Sequence, residues 1–232
     1  MATELINLLV NYINKRSPKE VASRYAHGKL IDIGCGTKPR ETLLFPYVQN
    51  VQKHFEVDHK STIYNKTKIH VFCSAYSTQV QDNSFDTAVC TAVLEHLEES
   101  GCALAECLRA LKSQGVAIFS CPLIWHLHEE LLYLCRFRKY GIVYLFEKAG
   151  FEILELRALS GFWVMFGRLS VNNLCRVHRG SIKYVPIIPS INLVIQGISY
   201  LLDKLDKAEQ WVWIDTVVAN KCQQIDNCDV VT

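Results

Sequence analysis

The sequence predicts a single α/β domain built on a doubly wound, mostly parallel sheet of seven strands. Short apolar segments that are typical of buried strands alternate with helical segments, as they do in parallel sheets with crossover helices. The chain has 232 residues, of which 50% are hydrophobic and 21% are charged. It is therefore long and apolar enough to bury one large core, and a disordered or low-complexity chain is excluded.

The elements follow one another in a regular order. The N-terminal region, residues 1–28, predicts two helices: one with apolar residues at helical spacing over 2–14, and one that starts at Ser17-Pro18. A further helix is expected after Pro39, and the other helical segments are 101–112 and 128–148. The segments predicted as strands are 29–34, 54–58, 68–72, 85–90, 116–121, 151–159 and 211–219.

The pattern changes at residue 160. Residues 160–210 predict an apolar, helical insertion before the last strand, and residues 222–232 predict a flexible tail outside the domain of 1–221. After Pro189 the insertion carries an apolar stripe of Ile191, Val194, Ile195, Ile198, Leu202 and Leu205. Three roles for the stripe remain open: a cover over the substrate cleft, a homodimer face, or a peripheral contact with a membrane surface.

Charge and cysteine usage exclude several classes of function. Lys and Arg number 25 against 23 Asp and Glu, so no global positive field favours nucleic acid. The 10 cysteines contain no C-x-x-C pair, and no H-E-x-x-H motif is present, so we expect reduced thiols and no metal site. The N-terminus lacks the features of a signal peptide and no uninterrupted apolar run spans a bilayer, which together predict a cytoplasmic protein.

The strongest local signal is the glycine turn after the first predicted strand. Gly34 and Gly36 allow a sharp turn and a close backbone approach to a ligand, and Asp32 lies at the end of the strand before them. A carboxylate there favours a cationic or hydrogen-bond-donating ligand over a pyrophosphate. Asp58 ends the second predicted strand, where an acid can bind both hydroxyls of a ribose.

These residues, together with three further segments, resemble the class I S-adenosylmethionine-dependent methyltransferases. The segments are 82–97, 108–119 and 148–154. The chain is also similar to a bacterial subfamily that has GCGTKP at the turn and P-x-x-W-x-x-H-E after the fifth strand, here beginning at Gly34 and Pro122. The resemblance implies a Rossmann-like methyltransferase fold, S-adenosylmethionine as cofactor and S-adenosylhomocysteine as product.

The resemblance also implies which residues bind the cofactor. Asp32, Gly34, Cys35 and Gly36 would hold its methionine part, and Asp58 its ribose. The family usually has Gly-Asp-Ala after the third strand, with the Asp reaching the adenine amine, whereas this chain has Cys73, Ser74 and Ala75. Ser74 would accept a hydrogen bond there without a charge, beside Ala75, and Thr91 would line the pocket after the fourth strand.

The segment after the fifth strand carries the candidate catalytic residues. Ligands of open α/β sheets lie beyond the carboxyl ends of the strands, and histidine titrates near neutrality, so His128 is the predicted base. Glu129 would orient it and His126 would be a second base, while capping of a helix by His128 and Glu129 is the alternative. Trp125, Arg136 and Trp163 are the predicted acceptor-binding residues.

We therefore expect methyl transfer to a hydroxyl, carboxyl or amine of a small or lipid-linked metabolite. The alternatives are a methyltransferase that acts on a peptide or protein, and a catalytically inactive scaffold of the same fold. The departures at Ser74, Tyr133 and Arg138 from the family pattern keep the scaffold alternative open.

Overall fold

The computed structural model describes residues 20–36, 49–60, 69–124, 133–179, 188–206 and 212–222, and seven strands within these ranges form one sheet. The strands are β1 (Gly28–Ile33), β2 (Val51–Asp58), β3 (Val71–Phe72), β4 (Phe85–Thr91), β5 (Leu111–Pro122), β6 (Phe151–Ala158) and β7 (Ile214–Lys221). The helices are α1 (Ser100–Ala110), α2 (Lys139–Lys148), α3 (Phe162–Arg179) and α4 (Ile188–Leu205). Residues 20–25 are also helical, and Leu94–His96 form a short 3-10 helix.

The strand order is β3-β2-β1-β4-β5-β7-β6, and β7 is antiparallel to both of its neighbours. The predicted doubly wound, mostly parallel sheet is therefore confirmed. The order reverses between β1 and β4, which pair through Ile31 and Ala88. Such a reversal opens a crevice beyond the carboxyl ends of the two strands, and this is where ligands bind in sheets of this type.

Alternating side chains fill a core on each face of the sheet. On β1, Ile31 joins the larger core with Leu104 of α1 and Phe146 of α2. The neighbouring Leu30 faces the other way and packs with Val21 and Ala22 near the N-terminal helix. Helices therefore cover both faces of the sheet, which explains why the central strands β1 and β4 are buried on both faces.

One predicted helix is shorter than the sequence suggested. A helix was expected over 128–148, but residues 133–138 are not helical and α2 begins at Lys139. The amide N–H groups of Leu134 and Cys135 donate instead to the backbone oxygen of Glu95, at 2.9 and 3.0 Å. These bonds occupy donors that a helix would use. Residues 128–132, like the predicted helices over 2–14 and after Pro39, lie outside the described residues.

The predicted insertion forms a helical hairpin of α3 and α4 between β6 and β7. The inner side of α4 is polar: Asn192, Gln196 and Ser199 are buried against the rest of the chain. Asn192 Nδ2 lies 3.2 Å from Cys175 Sγ on α3, and Asp203 accepts from the N–H groups of Gly161 and Val164 at 3.3 and 3.2 Å. Small residues allow the close approach, because a Cβ at Gly167 would lie 2.7 Å from Ser199 Cβ.

No helix in the described part of the chain combines the length and the apolar character needed to cross a bilayer.

Because α3 and α4 approach closely at Gly167, adding a methyl group there should destabilise the protein. Gly167→Ala should lower the free energy of unfolding by about 1–3 kcal/mol, since the added Cβ overlaps the Ser199 side chain. Gly197→Ala is the matched control: a Cβ there meets nothing within 4 Å, so the change should be neutral or stabilising. Urea denaturation measures both. Equal stabilities of the two variants would show that the hairpin does not pack as described.

Candidate active site

The glycine turn and Asp58 meet at the carboxyl ends of β1 and β2. The N–H of Gly36 donates to Asp58 Oδ2 at 2.9 Å, and the N–H of His59 donates to Asp58 Oδ1 at 2.7 Å. Gly34 donates to the backbone oxygen of Val57 at 2.9 Å. The two strands run parallel, so residues 22 positions apart in sequence become neighbours.

Both glycines are needed in the turn. Gly34 has φ +72° and Gly36 has φ +58°, which is the left-handed region where a side chain is strained. A Cβ at Gly34 would also overlap Val93 Cγ2, in the loop after β4. Val93 thus packs directly on the turn, and the ends of β1, β2 and β4 converge on one place.

The other predicted cofactor residues lie around this place. Asp32 and Cys35, which precede and follow Gly34 in the sequence, are both buried, and Thr91 is the last residue of β4. Each oxygen of the Asp58 carboxylate accepts one backbone N–H and keeps a second lone pair, which fits a ribose with two adjacent hydroxyls. The residues present therefore fit the adenosine part of the cofactor that the sequence implied.

The segment after β3 has a local structure of its own. Ser74 Oγ accepts from the N–H of Tyr76 at 3.2 Å, so its hydroxyl closes a turn in addition to any contact with a ligand. Cys73 is buried before it, and burial, followed by the nearby carboxylates of Glu106 and Asp58, raises the pKa of its thiol to about 11. Ala75 packs against the larger core.

A polar network anchors this segment to α1. Thr78 is fully buried, and both its N–H and its hydroxyl donate to Glu106 Oε1, at 2.7 and 2.6 Å. Arg109 binds the same carboxylate through two nitrogens, each at 2.7 Å. Burial alone would raise the pKa of Glu106, but these hydrogen bonds from Arg109 and Thr78 outweigh it and lower the pKa to about 2.

A second polar cluster lies beyond the carboxyl end of β4, and its members Glu95, His96 and Tyr133 are not among the predicted site residues. Glu95 is buried, and His96 Nε2 lies 3.9 Å from its Oε1. The His96 ring meets the Tyr133 ring edge-on, with centroids 5.1 Å apart. Partial burial raises the pKa of the Tyr133 phenol. Glu95 and His96 lie in the short 3-10 helix that follows β4, and their position beyond the carboxyl end of a strand is the signal that could have indicated this cluster.

Arg136, predicted to bind the acceptor, belongs to the same cluster. Its guanidinium lies 4.1 Å from the Tyr133 ring centroid and donates through Nη1 to the Tyr133 hydroxyl. Trp163 lies elsewhere, at the start of α3, where its indole N–H donates to Asp206 Oδ2 at 3.0 Å. Trp125, His126, His128 and Glu129 lie outside the described residues, so their roles stay predictions.

Residues 31–119, from β1 into β5, match the sequence profile of a family described as "Methyltransferase domain". This part of the chain, 89 of its 232 residues, is similar to that family. A comparison with curated proteins found no significant match. The domain match and the fold support the predicted enzyme class and cofactor, an S-adenosylmethionine-dependent methyltransferase. The match includes the GCGTKP turn at residues 34–39 and ends before Pro122, and its description names no subfamily, so the assignment to the subfamily with the GCGTKP and P-x-x-W-x-x-H-E motifs stays a prediction.

Solved structures share the fold over most of the chain. A SAM-dependent methyltransferase from Archaeoglobus fulgidus is 15% identical with a TM-score of 0.58, covering 91% of this chain and 94% of that one. The cyclase SpnF is 18% identical with a TM-score of 0.56, covering 94% and 93%. The Burkholderia thailandensis 1,6-didemethyltoxoflavin-N1-methyltransferase, bound to S-adenosylhomocysteine, is 12% identical with a TM-score of 0.55, covering 90% and 78%. At these identities the likeness shows the fold alone.

The turn geometry predicts that Gly34→Ala weakens binding of S-adenosylhomocysteine at least tenfold. The added Cβ is strained at φ +72° and overlaps Val93, so the turn must move away from Asp58. Gly141→Ala on α2, where a Cβ meets nothing within 4 Å, should bind normally. Titration calorimetry measures both affinities. Unchanged binding by Gly34→Ala would remove this turn from the site.

The Glu106 network predicts a specific dependence of stability on pH. The folded pKa of about 2 lies below the ordinary value of 4.5, so Glu106 contributes stability above about pH 4.5 that is lost as the pH falls toward 2. Glu106→Gln should cost about 2 kcal/mol at pH 7, because it breaks hydrogen bonds to a charged group. The deficit should shrink at pH 3, as urea denaturation at both pH values would show.

Glu152→Gln, which changes an exposed carboxylate on β6, is the matched control and should leave the stability unchanged at pH 7. A Glu106→Gln deficit that is equal at pH 7 and pH 3 would contradict the assigned pKa.

Proposed function

We propose that the protein transfers a methyl group from S-adenosylmethionine to a hydroxyl, carboxyl or amine of a small or lipid-linked metabolite. The observation that carries the proposal is the hydrogen bond between Gly36 and Asp58, since it joins a flexible glycine turn to a carboxylate with free acceptor capacity. Both are at the switch between β1 and β4, where a nucleoside binds in sheets of this kind.

Each residue of this place has a proposed task. Asp58 accepts hydrogen bonds from the two ribose hydroxyls, and Gly34 and Gly36 let the backbone approach the methionine part closely. Buried Asp32 and Cys35 lie beside them, and Thr91 lines the pocket from β4. Ser74 and Ala75 contact the adenine from the segment after β3. The cofactor, when bound, supplies a methyl group on a positively charged sulfur.

The remaining work of the protein is orientation. Holding the acceptor in line with the methyl group contributes about 7–11 kcal/mol to lowering the barrier. His128 takes a proton from an acceptor that is protonated at working pH, with Glu129 orienting it and His126 as a second base. Trp125, Arg136 and Trp163 bind the acceptor; for Arg136, support comes from its place beside His96 and Tyr133 at the carboxyl end of β4.

The proposal includes a reducing cytoplasmic location and a peripheral membrane contact. Support for the first comes from buried cysteines that form no disulfide, among them Cys73, Cys107 and Cys121. A membrane contact would bring a lipid-linked acceptor to the site.

An inactive scaffold is the second candidate. It is favoured by Ser74, an uncharged residue whose hydroxyl already accepts a hydrogen bond from Tyr76, where the resembling family has an aspartate for the adenine. A scaffold would bind cofactor weakly or not at all and would yield no S-adenosylhomocysteine.

Binding and turnover test the proposal together. Asp58→Asn should weaken S-adenosylhomocysteine binding tenfold or more in titration calorimetry, because a charge-assisted bond to each ribose hydroxyl is lost. Glu152→Gln is the control and should bind as wild type. Glu152 lies at the amino end of β6, on the side of the sheet opposite the carboxyl ends of the parallel strands. Unchanged binding by Asp58→Asn would contradict the ribose assignment.

Turnover should follow with methyl-labelled S-adenosylmethionine and panels of hydroxyl, carboxyl and amine acceptors, both free and lipid-linked. His128→Ala should lower kcat by about a hundredfold or more with little change in cofactor affinity. Full activity of His128→Ala would mean that another group, or none, takes the proton. Tight cofactor binding without any methylated product would favour the scaffold.

A further inference from the structure

Helix α4 has its polar side inward and its apolar side outward. Asn192 and Gln196 are 0% and 3% exposed, whereas Val194, Leu201 and Leu205 are 58%, 62% and 82% exposed. The outer face of α4, defined here as Ile191, Val194, Ile198, Leu201 and Leu205, forms one stripe at helical spacing. This is the reverse of the usual arrangement in a surface helix, where the apolar stripe is buried.

The inner contacts fix this orientation. Asn192 reaches Cys175, Ser199 packs on Gly167, and Asp203 accepts from the first N–H groups of α3. A rotation that buried the outer face would break each of these contacts and expose their polar groups. Helix pairs with small and polar residues between them and apolar residues outside are typical of an apolar solvent, where only the inner face needs partners.

The segment that contains the hairpin carries a net positive charge. Residues 160–207 contain six Lys and Arg and two Asp. Both carboxylates are engaged inside the hairpin: Asp203 with the N-terminus of α3 and Asp206 with the Trp163 indole. Lys204, between Leu201 and Leu205, and Arg176 on α3 are exposed. An apolar stripe together with exposed cations on the same hairpin matches a surface that is apolar inside and anionic outside.

Two other covers are disfavoured by the same charge. A second copy of the chain would bring two positively charged hairpins together. The N-terminal segment, residues 1–19, carries Lys15, Arg16 and Lys19 against Glu4, so its charge has the same sign as the hairpin. Burial of the stripe by either would place cations beside cations, whereas anionic phospholipid headgroups neutralise them.

We infer that the outer face of α4 docks on an anionic phospholipid bilayer, with the helix lying along the surface. The stripe runs from Ile191 to Leu205, about 21 Å at 1.5 Å per residue, which suits a helix lying in the plane of the headgroups rather than across the bilayer. The hairpin follows the carboxyl end of β6, which lies on the same side of the sheet as the carboxyl end of β2 and Asp58.

Vesicle co-sedimentation without cofactor or acceptor tests the inference separately from the methyl-transfer proposal. The wild-type chain should bind vesicles of phosphatidylglycerol and phosphatidylcholine in equal amounts, and bind pure phosphatidylcholine vesicles at least tenfold more weakly. Ile198→Gln with Leu201→Gln should lower the partition coefficient at least tenfold, because two inserted side chains become polar. Lys204→Glu with Arg176→Glu should weaken binding to the anionic vesicles alone.

The matched control removes exposed aromatic residues from another helix. Tyr140 and Tyr144 on α2 are 82% and 63% exposed, and Tyr140→Gln with Tyr144→Gln should leave vesicle binding unchanged. Circular dichroism verifies that each variant is folded. Analytical ultracentrifugation of the wild type gives the alternative outcome: a dimer that Ile198→Gln with Leu201→Gln dissociates, without vesicle binding, overturns the inference in favour of a second copy. A monomer that binds no vesicles overturns it as well.

Discussion

The hydrogen bond from the Gly36 N–H to the Asp58 carboxylate is the constraint on which the candidate site depends. It requires β1 and β2 to be parallel and in register, so that their carboxyl ends lie side by side. It also requires two positive φ angles, since only a left-handed turn aims the N–H of Gly36 back toward β2. Val93 closes the third side from the loop after β4. The candidate nucleoside site is thus formed where the carboxyl ends of β1, β2 and β4 come together, and not by the glycine motif alone.

The segment after β3 is held in place by side-chain hydrogen bonds to α1. Thr78 is polar and nonetheless fully buried. Burial of its hydroxyl is tolerated because Glu106 accepts both of its donors, and Arg109 neutralises the carboxylate. Hydrogen bonds among Thr78, Glu106 and Arg109 thus fix this segment in place of apolar packing. The position of the segment therefore depends on the protonation of Glu106.

The α3–α4 hairpin separates two roles that surface helices usually combine. Polar residues join its two helices through Asn192 and Asp203, whereas the apolar residues on the outer face of α4 are exposed. The hairpin lies between β6 and β7 in the chain, and it begins on the side of the sheet where β2 ends at Asp58. One element therefore carries an outward apolar surface and follows a strand whose carboxyl end lies on the same side of the sheet as the candidate cofactor residues.

The sequence by itself determined the order of strands and helices, because a buried parallel strand must be apolar on both faces and a crossover helix must be apolar on one. It also determined the glycine turn and Asp58, since few residue types support a left-handed backbone or bind adjacent hydroxyls. Periodicity failed at residues 133–138, where the Glu95 backbone oxygen takes the amide donors that a helix needs. A hydrogen bond from a distant segment leaves no trace in local spacing.

Only the tertiary structure decided which side of α4 faces inward. The stripe from Ile191 to Leu205 was recognisable from spacing, but an apolar stripe is compatible with a buried face and with an exposed one. Partners that come from α3, such as Cys175 for Asn192, settled the choice. Tertiary structure also formed the cluster of His96, Tyr133 and Arg136. His96 is distant in sequence from the other two residues, and it meets them only where the segments after β4 and β5 come together. Local sequence sets backbone conformation, whereas long-range contacts set which surfaces meet.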